Sequence, residues 1–92
     1  GLPVEYYPRM RWTDQFSIQV DVVVTQGNKR LPSETLQNAV KVHMGKRISV
    51  QRLSNITRLI EKAYREAGYA AQAYVPEQNF ERGTLVIQVI ER

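Results

Sequence analysis

Side chains able to do covalent or acid–base chemistry are few in this chain, and their spacing assembles no reaction centre. His43 is the only histidine and sits in Val42-His43-Met44 at a helix end, where an imidazole serves as a cation or packing group more often than as a catalyst. With no cysteine and no second histidine, thiolate and paired-imidazole metal sites are excluded. The carboxylates Glu61, Glu66, Glu77 and Glu81 show no spacing that sets a buried acid beside a base, and Ser17, Ser33, Ser49 and Ser54 lack the glycines of a nucleophile elbow. The chain is therefore expected to be no enzyme and to carry neither metal nor cofactor.

What remains is recognition through charge and through the main chain. Thirteen Lys and Arg against nine Asp and Glu give a net charge of +4, which raises a nucleic-acid reading. The cations are scattered without a block of five or six, so most are expected on solvated surface. A KH-like RNA binder would place a GxxG loop between two helices, but the chain has Gly45-Lys46-Arg47-Ile48, and Ile48 would crowd the phosphate approach. Tyr6, Tyr7 and Trp12 beside Arg9 and Arg11 could stack on bases, grip a partner or lie across the domain's own sheet.

The elements that must position any such surface follow from period. Residues 1–15 show neither helical nor strand period and read as an irregular arm or linker, leaving residues 16–92 as one domain. Residues 16–25 alternate, with Phe16, Ile18, Val20, Val22 and Val24 facing one way, and predict a strand. Gly27 and Asn28 break it, and Pro32 and Ser33 open a helix with Leu36, Ala39 and Val40 on its apolar stripe, ending near Gly45. A tight connection over residues 45–48 is expected to lay this helix beside a longer one.

The longer helix runs over residues 50–67. Val50, Leu53, Ile56, Ile60, Ala63, Tyr64 and Ala67 form its buried stripe, Ser49 is its expected hydroxyl cap and Gly68 its stop. Its outer face carries Arg52, Arg58, Lys62 and Arg65, with Glu61 four residues before Arg65 in pairing orientation. Beyond Gly68 the period falls to two over residues 70–76, which are alanine-rich and end in Pro76. Residues 84–91 are nearly all apolar, as in a central strand, with Leu85, Ile87 and Val89 on one face. The order β-α-α-β-β predicts an α+β fold with two helices on one face of a three-stranded mixed sheet, residues 70–76 at its edge. No eighteen-residue apolar run predicts a helical membrane span, and no signal-peptide order is visible.

Several segments in this order carry a family likeness. They are Gly27-Asn28 after the first strand, Gly45-Lys46, Ala63-Tyr64-Arg65-Glu66-Ala67-Gly68-Tyr69, Val75-Pro76-Glu77-Gln78, and Gly83 before the last strand. Together they resemble a POTRA (polypeptide-transport-associated) domain, most like those of TpsB-type two-partner secretion transporters. Gly27, Asn28, Gly45, Tyr64, Gly68, Tyr69, Pro76, Gln78 and Gly83 read as its structural motif, with Tyr64 and Tyr69 filling the helix–sheet interface.

The resemblance implies a non-catalytic module in the periplasm of a Gram-negative bacterium, as part of an outer-membrane protein. Its partners would be an unfolded secreted polypeptide, a C-terminal outer-membrane β-barrel and a neighbouring POTRA domain, without nucleic acid. Capture is expected by strand pairing along Ala70, Ala71, Gln72, Ala73, Tyr74 and Val75, with Arg58, Lys62 and Arg65 as charged contacts. A structural spacer or assembly POTRA of an outer-membrane barrel assembly protein is the alternative reading.

Overall fold

The alternating stretch after Phe16 is two strands rather than one. The computed structural model describes residues 17–92, and in it β1 (Ser17–Val20) and β2 (Val22–Gln26) are separated by a bend at Asp21. One residue spent outside the ladder inverts the alternation. Ile18 and Val20 are buried before the bend, but after it the core takes Val23 and Thr25, and Val24 is left 37% exposed. The expected inward facing of Val22 and Val24 is thus reversed. A buried threonine results, and its Oγ1 has no hydrogen-bond partner among the described residues.

The bend also lets the two halves serve different sheets. β1 pairs antiparallel with β3 (Lys46–Ser49), while β2 runs parallel to the last strand, β5 (Thr84–Glu91). Asp21 is fixed by its N–H, which donates to Gly83 O at 2.7 Å. Gly83 has φ +72, which favours glycine by conformation, and a Cβ there would have to displace the Asp21 carboxylate.

The helical layer is shorter at its start than the sequence predicts. α1 (Ser33–Ala39) buries Leu36 and gives way to a 3-10 turn, Lys41–His43. Residues 46–49, which take in most of the tight connection expected over 45–48, form β3, and Gly45 N–H donates to Val20 O at 2.7 Å as the ladder begins. α2 (Val50–Glu66) follows directly. Ser49 has the extended backbone of a cap but its hydroxyl makes no capping bond, contrary to expectation. At the other end the helix closes as predicted: Gly68 N–H donates to Arg65 O and Tyr69 N–H to Tyr64 O, with Gly68 at φ +88.

α2 packs its stripe of Leu53, Ile56, Ile60 and Tyr64 into a core with Val23, Leu85, Ile87 and Val89 of the sheet. The sheet order is β2-β5-β4, with β4 (Ala71–Tyr74) antiparallel to β5. The expected three-stranded mixed sheet under two helices is therefore present, joined by the additional β1-β3 pair. Tyr69 departs from expectation: it is 39% exposed, with the Arg30 guanidinium 5.1 Å from its ring centre rather than the core around it.

Two of the four positive-φ glycines, Gly68 and Gly83, separate strain from crowding. Gly68→Ala meets nothing within 4 Å and should cost about 1 kcal/mol, the ordinary penalty for an L-residue in left-handed backbone. Gly83→Ala should cost clearly more in urea unfolding, and the excess should shrink when Asp21→Gly is added.

Candidate functional site

β4 lies at the border of the three-stranded sheet, where the sequence places it. Arg92 N–H donates to Ala70 O at 3.0 Å, which sets the alternation of the antiparallel pair. Gln72 and Tyr74 then turn their main chain toward β5, and Ala71 and Ala73 turn theirs outward. The side chains of Ala71 and Ala73 pack against the core, so the border is lined by methyl groups below and peptide groups outside.

This edge is not bare. Ala73 N–H donates to Glu61 Oε2 at 2.9 Å, so a carboxylate from α2 occupies a donor that a further strand would use. Glu61 was expected to pair with Arg65; the ion pair that forms on the helix is Lys62 with Glu66, at 3.9 Å between exposed side chains. Gln72 is exposed and its Oε1 accepts from Arg92 Nη2. Tyr74, expected to offer side-chain contacts, is only 5% exposed although it lies outside the core cluster, and Val75, at 9%, belongs to that cluster.

Pro76 and Gln78 end the strand by a substitution of groups. Continuing the register would set Pro76 opposite Val86, but proline has no N–H to donate. The side-chain amide of Gln78 takes the place of a strand. Val86 N–H donates to Gln78 Oε1 at 2.8 Å, and Gln78 Nε2 donates to Val86 O at 2.9 Å and Pro76 O at 3.0 Å. An amide carries both a donor and an acceptor, which no carboxylate or amine would supply.

A carboxylate closes the opposite end of the sheet. Glu91 Oε2 accepts from Arg30 N–H at 2.7 Å and from Tyr64 Oη at 2.7 Å, joining the loop after β2 to β5 and to the end of α2. Asn28 Nδ2 donates to Leu31 O and Ser33 Oγ within that loop, tying it to the start of α1. Burial works against ionisation of Glu91, but the backbone bonds and the Tyr64 hydroxyl outweigh it and hold the carboxyl below the ordinary glutamate value. Tyr64 shifts the other way, pushed up by burial and then by its bond to the carboxylate.

The cations expected to join the capture site lie on the outer helix face, as the spacing places them, and apart from the edge. Arg58, Lys62 and Arg65 line a groove on the outer face of α2 together with His43, Asn55 and Leu59, and no β4 residue contributes to it. His43 is held below its ordinary pKa by burial and then by the Arg52 and Lys46 charges, so it is neutral near pH 7. Lys46 and Arg47 sit on a paired strand, not in an open loop, which removes the KH-like phosphate clamp. The arm of residues 1–15, with Tyr6, Tyr7, Arg9, Arg11 and Trp12, lies outside the described residues. Among the described residues no three His, Cys, Asp or Glu are grouped to hold a metal, and no helix is long and apolar enough to cross a membrane. The roles of Glu61 and Glu91 as partners of main-chain N–H groups were not visible in the sequence, where Glu61 read as a partner for Arg65 on the outer helix face.

Comparison with known proteins agrees with this architecture. Residues 18–92 match the family described as POTRA domain, ShlB-type. A protein of Haemophilus influenzae named heme/hemopexin transporter protein HuxB is 28% identical over 78 residues, 84% of this chain and 14% of that protein. A second HuxB sequence from Haemophilus influenzae is 30% identical over 70 residues, 75% of this chain and 12% of its own length. The chain thus spans a small part of the curated relatives it matches. The solved structure of CdiB from Escherichia coli superposes with a TM-score of 0.72 at 24% identity, covering 96% of this chain and 17% of that one.

Because the folded pKa of Glu91 is depressed, the stability it supplies is full above the ordinary value of 4.5 and is lost as pH falls through the folded pKa. Glu91→Gln should therefore flatten the acid side of the stability curve while changing its slope little above pH 6 to 7, as read by urea midpoints across about pH 2 to 7.

Proposed function

The chain belongs to the ShlB-type POTRA family, and from that premise we propose that it is a non-catalytic, periplasmic polypeptide-binding module of an outer-membrane protein secretion transporter. Its substrate is an unfolded secreted polypeptide, its covalent neighbour an outer-membrane β-barrel, and its contact the β4 border. The observation that carries this reading is the outward main chain of Ala71 and Ala73 on a sheet border with no strand beyond it among the described residues. Peptide groups pair with any extended chain whatever its side chains, which suits a receptor for sequences in transit.

Glu61 gives the border two states. Without a guest its carboxylate satisfies Ala73 N–H, as natural proteins commonly blunt an exposed strand. A guest carbonyl replaces the carboxylate oxygen one for one, and Glu61, half-buried at the helix surface, returns to water. Four residues of border offer few such bonds. At roughly 0.5 to 1.5 kcal/mol net for each, the complex is weak and reversible, as a transport step requires.

Two substitutions on this one hydrogen bond should act with opposite sign. Glu61→Ala removes the competitor and should tighten binding of a permanently unfolded, labelled polypeptide by about three- to tenfold. Ala73→Pro removes the donor itself and should weaken binding of the same probe by a similar factor, with the fold retained by circular dichroism because an edge strand tolerates proline. Fluorescence anisotropy of both variants beside the unaltered chain checks this; equal affinity in all three would exclude pairing along β4.

A further inference from the structure

The outer face of α2 and the 3-10 turn Lys41–His43 border a groove of about 370 Å³. Its lining is three permanent cations, Arg58, Lys62 and Arg65, with Asn55, Leu59 and the His43 ring. The acid paired nearby, Glu66, reaches Lys62 at a long 3.9 Å with both side chains largely in water, so it leaves Arg58 and Arg65 uncompensated in that contact. His43 Nδ1 is buried without a hydrogen-bond partner among the described residues, whereas buried polar atoms ordinarily find one. Leu59 adds a half-buried apolar surface to this polar ring.

We propose that this groove is a second recognition site, for an extended acidic polypeptide segment that also carries an apolar side chain. Spacing favours a polypeptide over a compact anion. Arg58, Lys62 and Arg65 climb the helix in steps of about 4.5 to 6 Å, at 1.5 Å per residue. Alternate residues of an extended chain stand about 6.6 to 6.8 Å apart, within reach of these long flexible side chains, so carboxylates on every second residue can meet successive cations. A single phosphate would use two of them and leave the rest of the row, and Leu59, without a role. The groove shares no residue with β4, so the site stands whether or not a guest strand pairs there.

The test is a nuclear magnetic resonance titration of the whole chain with a synthetic peptide in which glutamate alternates with serine around one central leucine. The expected result is a set of amide shifts at Asn55, Arg58, Leu59 and Lys62, and an affinity that falls at least about fivefold between about 50 and about 300 mM salt. Arg58→Glu with Lys62→Glu, both on exposed side chains, should lower the affinity at least about tenfold, and Ala73→Pro should leave it unchanged. Shifts confined to β4, equal binding of the peptide with lysine in place of glutamate, or displacement of the peptide by phosphatidylglycerol vesicles that bind more tightly would each overturn the proposal.

Discussion

The burial of Leu53, Ile56, Ile60 and Tyr64 against the sheet fixes the rotation of α2 about its own axis, and both candidate surfaces depend on that rotation. A helix places its neighbours at 100° intervals, so once this stripe is committed to the core the remaining positions have no freedom of azimuth. Glu61, one residue past Ile60, falls at the flank beside β4 and meets Ala73 N–H. Arg58, Lys62 and Arg65 fall on the outer face. Border and groove are thus set by a single apolar contact rather than by separate local devices.

A second theme is the use of side chains where strands run out. β5 is the central strand, yet beyond Tyr74 its partner is a proline, and the Gln78 amide supplies the missing donor and acceptor to Val86. Glu91 accepts the Arg30 N–H that no strand reaches, and Glu61 does the same for Ala73. Each is a polar side chain whose partner is a peptide group of another segment, 8 residues away for Gln78, 12 for Glu61 and 61 for Glu91. Buried or half-buried backbone groups must be satisfied somewhere, and in a small domain with few strands the side chains complete the accounting.

This explains which parts of the fold were legible in the sequence. The α2 stripe, the Gly68 stop and the alternation of Leu85, Ile87 and Val89 are local patterns, and they gave the helix, its end and the central strand. The border position of β4 followed from element order. The inversion at Asp21 was hidden because Val22, Val23 and Val24 are equally apolar, so either face reads as a core face. β3 was hidden because its four residues include one buried apolar side chain, Ile48, and it is held by its pairing with β1. Tyr69 was misplaced because an aromatic after a helix stop reads as packing, and its partner, Arg30, is remote in the chain. The outer-face position of the cations was legible from the helical period, but the groove they form with the 3-10 turn was not, because that turn replaces the predicted end of the first helix.

The contact between Glu61 and Ala73 bears on how copies of this domain treat one another. A two-fold encounter along β4 would break that bond in both copies at once and displace two carboxylates at one seam. A lone extended chain disturbs one such bond and brings no matching carboxylate by symmetry. If β4 takes a guest as proposed, the border therefore discriminates by stoichiometry, opposing a second copy of itself more than a lone extended chain.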